Sequence, residues 1–206
     1  MDFPSPVFIG YFPKLVAQKK DLKAQNGEMW LKNDIVEEIC SVSDCISDGP
    51  PDGWIDQWKH NDLGFFPTEI AALSVIPEDG RKKYELFAYK LYPIKFDRGE
   101  IVEQTIESKA EENLSQFVFI GFDIVSKSVS DFFECSPLSC GCGCEIFPVN
   151  QFCLIQNFDE ALGCWKKISE EVAGIEMIKR PDGIFEWHGK WEPGPYYLFQ
   201  VFRKNK

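Results

Sequence analysis

The chain has 206 residues, 44% of them hydrophobic and 15% aromatic, with a formal net charge of −11 and a pI near 4.7. So much apolar and aromatic surface excludes disorder, because it has to be buried. So negative a charge disfavours phosphate backbones and anionic membranes, which recruit Lys and Arg, and suits a basic partner or a cation.

The N-terminus reads Met-Asp-Phe-Pro-Ser-Pro, with an acid and two prolines where a signal peptide carries basic and then apolar residues. The longest strongly apolar stretch, Phe117 to Phe122, is too short to span a bilayer. The expectation is a cytoplasmic protein, in which the eight Cys are reduced and serve metal binding, redox chemistry or plain packing. The length fits one globular domain over 1–206, with two half-units of about 1–95 and 96–206 as the alternative division.

In chain order, residues 7–12 (Val-Phe-Ile-Gly-Tyr-Phe) predict a buried strand ended by Pro13. Ile35, Val36 and Ile39 fit either one helical face or a strand, and Asp48-Gly-Pro-Pro-Asp-Gly53 predicts a turn. Asp52 is a cap for a short helix carrying Trp54, Ile55 and Trp58; Thr68 caps another that carries Ile70, Ala71, Leu73 and Val75. Extended runs follow at 83–92, about 100–106 and 116–125, the last the most apolar. Asn157 with Glu160 three residues later opens the best helix, with Ala161, Leu162, Trp165, Ile168 and Val172 on one face. The chain then predicts a C-terminal β-hairpin, 184–188 against 196–202. Helices and strands alternate without a βαβ rhythm, so the fold class expected is α+β, a mixed or antiparallel sheet with a few helices.

A repeat cuts across these elements. Cys40-Ser-Val-Ser-Asp-Cys45 and Cys135-Ser-Pro-Leu-Ser-Cys140 share Cys-Ser-x-x-x-Cys, and each follows a Val-Phe-Ile-Gly tetrapeptide, at 7–10 and 118–121. The order strand, insert, thiol pair, helix recurs with inserts of unequal length, the pattern of a degenerate internal duplication.

The thiols are the first chemical candidates. Zinc takes four tetrahedral N/S ligands, commonly as two closely spaced pairs. Cys40, Cys45, Cys135 and Cys140 form one set joining the halves; Cys135, Cys140, Cys142 and Cys144 form a local alternative in which Gly141 and Gly143 let the backbone turn around an ion. Zinc is the one cofactor this spacing suggests. Cys153 and Cys164, inside apolar patterns, are expected to pack as small hydrophobes. Nucleophilic catalysis needs a Cys beside an imidazole, and Cys40 or Cys45 with His60 is the best such combination in a chain with two His. No phosphate loop, nucleophile elbow, dinucleotide fingerprint or calcium-loop pattern is present, and Asp48, Asp52 and Asp56 lack the alternation a calcium loop requires.

Residues 34–62 are the second candidate, with eight acids against Lys59 alone. Trp54, Asp56, Trp58 and His60 fall inside this stretch, and acids mixed with Trp suit a basic protein partner: rings supply contact, charge steers association. The run Trp187-His-Gly-Lys-Trp191-Glu-Pro-Gly-Pro-Tyr196-Tyr197 reads as a loop between strands whose aromatics pack, or as an exposed aromatic platform.

The segments Phe133–Cys140, Ile39–Cys45 and Glu192–Tyr197 resemble stretches of bacterial proteins of unknown function. That resemblance implies a bacterial source and transfers no activity or site. The functional expectation is a non-catalytic interaction module of the immunity or inhibitor kind, zinc-stabilised or not, that binds a basic partner. A cysteine-dependent enzyme or redox protein using the Cys40/Cys45 or Cys135/Cys140 thiols is the alternative.

Overall fold

The computed structural model of the protein describes residues 3–22, 32–42, 64–78, 83–97, 99–127, 135–139, 145–176, 178–183, 185–186 and 188–206. In chain order its elements are β1 (Val7–Lys14), β2 (Ala17–Gln18), a 3-10 turn (Lys19–Asp21), β3 (Glu38–Ile39), α1 (Glu69–Ser74), β4 (Glu85–Leu91), β5 (Ile94–Asp97), β6 (Glu100–Glu103), β7 (Phe117–Ser126), α2 (Phe158–Val172), β8 (Ile178–Lys179), β9 (Phe185–Glu186) and β10 (Tyr196–Lys204). The class is α+β. Its centre is a four-stranded antiparallel sheet in the order β1-β4-β10-β7, accompanied by three two-stranded ribbons.

Side-chain alternation along the strands divides the core into two faces. Ala88, Leu86, Phe122, Ile124 and Leu198 point to the side on which α1 and α2 pack, through Ala72 from α1 and Ala161, Trp165 and Ile168 from α2. Phe87, Tyr89, Leu91, Phe199 and Val201 point the other way, towards Cys40, Val42, Phe65 and Leu154 from the long inserts that follow β1 and β7. The helices thus share one side of the sheet; the inserts meet on the other and also pack in the cluster around α2, through Ile39, Leu138, Phe147 and Cys153.

The pairing registers reveal a pseudo-twofold relation between β1–α1–β4 and β7–α2–β10. Phe8 and Gly10 stand opposite Lys90 and Tyr89, with Ile9 skipped as a bulge; Phe119 and Gly121 stand opposite Phe202 and Val201, with Ile120 skipped. Between β4 and β10, Phe199↔Leu91 is matched by Arg203↔Phe87 and Gln200↔Lys90 by Phe202↔Ala88, which leaves Tyr89↔Val201 on the axis. The residue after each tetrapeptide makes a reciprocal backbone pair with its insert: Tyr11 with Phe66, Phe122 with Ile155. In each case the helix N-cap, Thr68 or Asn157, comes two residues later, and Ala72 and Ala161 are both fully buried one turn into the helix. The two Val-Phe-Ile-Gly tetrapeptides occupy matching places in this relation.

Glycine is required at both bulges. Gly10 has φ +131° and a Cβ there would lie 2.3 Å from the Phe66 carbonyl oxygen; Gly121 has φ +148° and its Cβ would lie 2.6 Å from Leu154 Cβ. The close backbone approach that covers each sheet edge therefore excludes a side chain.

Several expectations need correction. Pro13 does not end β1, because an edge strand tolerates a residue without a donor, and the strand runs to Lys14. Helix α1 stops at Ser74 with Val75 as its C-cap; Ile70 is 81% exposed, and the buried position is the small Ala72. Residues 38–39 form a strand, paired with 17–18. A hairpin does form near the C-terminus, but between β8 and β9; β10 enters the sheet centre between β4 and β7 instead of returning on 184–188. Tyr196, Leu198, Phe199 and Val201 are all buried, on both faces of the strand, and that pattern favours a central slot. The helix cap is as expected: the Asn157 side chain accepts from Asp159 N at 2.8 Å and Glu160 N at 3.3 Å. Trp165, fully buried under α2, donates its indole N–H to the Tyr196 carbonyl at 2.8 Å, tying helix to sheet.

Candidate functional site

Asp123 is the one acid inside the apolar strand β7, and it projects on the insert side, opposite Phe199 in the register. It is fully buried. One carboxylate oxygen accepts from the Ser41 hydroxyl at 2.6 Å and the Val42 N–H at 2.6 Å; the other accepts from the Ser136 hydroxyl at 2.6 Å and the Ile124 N–H at 2.9 Å. The second residues of the two Cys-Ser-x-x-x-Cys segments, one from each insert, thus hold opposite oxygens of a single carboxylate. Burial pushes the Asp123 carboxyl up from its ordinary value, and the four donors pull against that rise.

The inserts are stitched together around this carboxylate. Cys40 N donates to Phe152 O at 3.1 Å, and Glu37 N and Glu38 N both donate to Gln151 O. The Cys153 thiol donates to Leu138 O at 3.2 Å, from a residue held at φ 58°, in the left-handed region that a non-glycine residue seldom occupies. Ser126 N donates to Cys135 O, and Ser126 Oγ donates to Glu192 at 2.8 Å. Lys14, itself buried, donates to the Ser41 carbonyl. Beside it Arg203 is clamped between Glu38 and Glu85 with its guanidinium 5.8 Å from the Phe152 ring; these carboxylates hold the Arg203 pKa above its ordinary value, against desolvation, which acts most strongly in the opposite sense.

The sequence-derived candidates divide as follows. Cys40 and Cys135 are described, and the shared carboxylate brings the backbone around them to one place. Cys40 is fully buried and its thiol is pushed up to about 12 by desolvation, so in this fold it is protonated at neutral pH and badly set up as a nucleophile. Cys153 is buried and Cys164 half-buried with its thiol raised by desolvation, in keeping with packing roles. Cys45, Cys140, Cys142, Cys144, Trp54, Asp56, Trp58 and His60 lie outside the described residues. Among the described residues no group of three or more His, Cys, Asp or Glu is assembled to hold a metal ion. In the C-terminal run, Trp191 is 4% exposed, stacks on Phe147 and donates to Glu171 at 2.5 Å; it packs and forms no platform.

Asp123 is the residue that a reading for thiols misses. Its signal is present, however: a single acid inside Phe-Val-Phe-Ile-Gly-Phe-Asp-Ile-Val must be buried, and a buried carboxylate must be partnered. The shared Ser of the two motifs, a spacer when the thiols are the focus, supplies the partners.

Comparison of the chain with family models, with curated proteins and with solved structures gives no match. Among the described residues no helix is long and apolar enough to cross a membrane.

Proposed function

We propose that the protein is a non-catalytic interaction module that binds a basic protein partner, in the manner of an inhibitor or immunity protein. The observation that carries this reading is the root of the acidic, Trp-bearing segment. Val42, inside the 34–62 segment and the last described residue before Trp54, is fixed through its N–H to the buried Asp123 carboxylate, on a scaffold of net charge −11. Trp54, Asp56, Trp58 and His60 follow in the sequence, with the composition that suits a basic surface. The chemistry of the described groups supports the same choice: Cys40 is buried and protonated, and Asp123 is saturated by donors.

The test is affinity capture with the whole protein from its own host, followed by calorimetry on the recovered partner. One dominant basic partner, bound more weakly as salt rises and after Trp54→Ala or Trp58→Ala, supports the reading. Binding indifferent to salt and to both substitutions overturns it.

A zinc-stabilised form is a second reading, favoured by the convergence of Cys40-Ser41 and Cys135-Ser136 on one carboxylate. It assigns the metal to Cys40, Cys45, Cys135 and Cys140, and it requires the Cys40 thiol to lose its proton to the metal. Close to one zinc per chain in protein purified without chelator supports it, and metal-free protein of full stability refutes it.

A further inference from the structure

At the C-terminal end of α2 lies a partly open cavity of about 470 Å³, within the size range of small-ligand sites. Its walls include Phe96 from β5, Tyr196 from the start of β10, Ser169 on the helix, and Gly174, Ile175 and Gly194. Among the described residues, none that lines it is charged.

Three features of this cavity lack a complement. The final carbonyls of a 15-residue helix have no intrahelical partner and carry its negative dipole end, yet the last turn contains no basic residue and does contain Glu170 and Glu171. The C-cap Ala173 is extended, at φ −60° and ψ 116°, and among the described residues the backbone bond that closes the helix end runs from Ile175 N to Val172 O. Ser169 is 5% exposed, and its hydroxyl has no hydrogen-bond partner among the described residues. Lys190 stands 4.4 Å from the Trp191 ring centre, and Glu171 accepts from the Trp191 indole.

We infer that this cavity is a binding site for a guanidinium or primary ammonium carried on an aliphatic stem. The charged head meets the helix-end carbonyls and the Ser169 hydroxyl, and the stem lies between the Phe96 and Tyr196 rings, a geometry that also favours a cation over an aromatic face. Free amines and the Arg or Lys side chain of a partner share this chemistry. The site is remote in sequence from the 34–62 segment, so it stands or falls separately from the proposed partner surface.

The test is a titration of the whole protein, followed by backbone amide NMR, with butylguanidinium, butylammonium and neutral pentanol. Saturable shifts confined to Gly174, Ile175 and Gly194, given by both cations and absent with pentanol, are expected. Ser169→Ala keeps the cavity and removes one hydrogen bond, which should weaken binding about fivefold. Ala173→Arg, at an exposed position, tethers a competing cation at the helix end and should weaken it about tenfold through its local concentration. Equal shifts with pentanol, shifts spread over the acidic surface, or affinities unmoved by Ala173→Arg would each overturn the assignment. A capped Gly-Gly-Arg-Gly-Gly peptide separates the sources: binding at least as tight as butylguanidinium points to a protein side chain, and exclusion of the peptide points to a free amine.

Discussion

Replacing Asp123 with Asn is the sharpest perturbation of this fold. The amide keeps one oxygen, able to accept from one pair of donors, and turns an NH2 towards the other pair, so two of the four contacts at 2.6–2.9 Å become donor against donor. Hydrogen bonds to a charged group contribute about 1.5–3 kcal/mol each, so two of them amount to about 3–6 kcal/mol. Relief of the buried charge offsets part of this, leaving a net loss of about 2–4 kcal/mol. For a chain of this size that corresponds to a fall in Tm of roughly 5–15 °C. Urea unfolding of wild type and variant, with m unchanged, measures it. The pH dependence carries a definite sign: a carboxyl raised above 3.8 in the folded state stabilises the protein most below 3.8, and that increment is lost as pH rises through the folded value. The gap between wild type and Asp123→Asn should therefore narrow from acid towards neutral pH. A loss below about 1 kcal/mol, smaller than one charged hydrogen bond, would refute the claim that this carboxylate joins the inserts.

Other outcomes follow from the same geometry. Ser41→Ala and Ser136→Ala should each destabilise by about 1–2 kcal/mol and couple by at least about 0.5 kcal/mol in a double-mutant cycle, because they share one carboxylate. Gly163 in α2 is exposed, and a Cβ added there would meet nothing within 4 Å, so Gly163→Ala should stabilise by about 0.5–1 kcal/mol in thermal melts; Gly10→Ala and Gly121→Ala, which meet backbone or core atoms, should destabilise strongly. Arg203→Met leaves Glu38 and Glu85, each with a side chain 20% exposed, without their shared cation and should cost about 3 kcal/mol, measured by denaturant unfolding with little salt dependence. Alkylation of Cys40 at pH 8, followed by peptide mass mapping, should proceed only as fast as global unfolding; rapid labelling in the native protein would contradict its burial.

The parts of the fold legible in the sequence are those governed by local physics. Asn157 and Thr68 announce their helices because cap donors must be satisfied within one turn, and the alternating apolar runs place β4, β7 and β10 within a few residues. Strand partners are not legible. The Pro/Gly loop before Tyr196 suggests a local hairpin, whereas the choice of β4 and β7 as neighbours is made by burial on both faces of β10, a long-range matter. Of the short hairpin 94–97/100–103 only the second strand is visible, inside the extended run at about 100–106. At the site, the Cys-Ser repeat is visible, but the thiols draw attention from the hydroxyls, and no local pattern ties Ser41 to an acid 82 residues away. Residues 43–62 of the acidic segment, with both Trp, and the remaining thiols Cys45, Cys140, Cys142 and Cys144 fall outside the described residues, so their reading rests on composition.

The pseudo-twofold also explains why a carboxylate stands where it does. Phe12 follows Gly10-Tyr11 as Asp123 follows Gly121-Phe122, so the two occupy matching positions in β1 and β7, on the insert face of the sheet. Phe12 meets its insert with a ring, packing edge-on against Phe65 at 6.2 Å. Asp123 meets both inserts with hydrogen bonds. A ring at position 123 would fill space without direction, and two inserts of unequal length would be free to slide on it. A carboxylate accepts only along its lone pairs, so it fixes the register of residues 41–42 against 136 to within hydrogen-bond tolerance. Symmetry is broken at Asp123, where directional bonding fixes Ser41 and Val42 against Ser136.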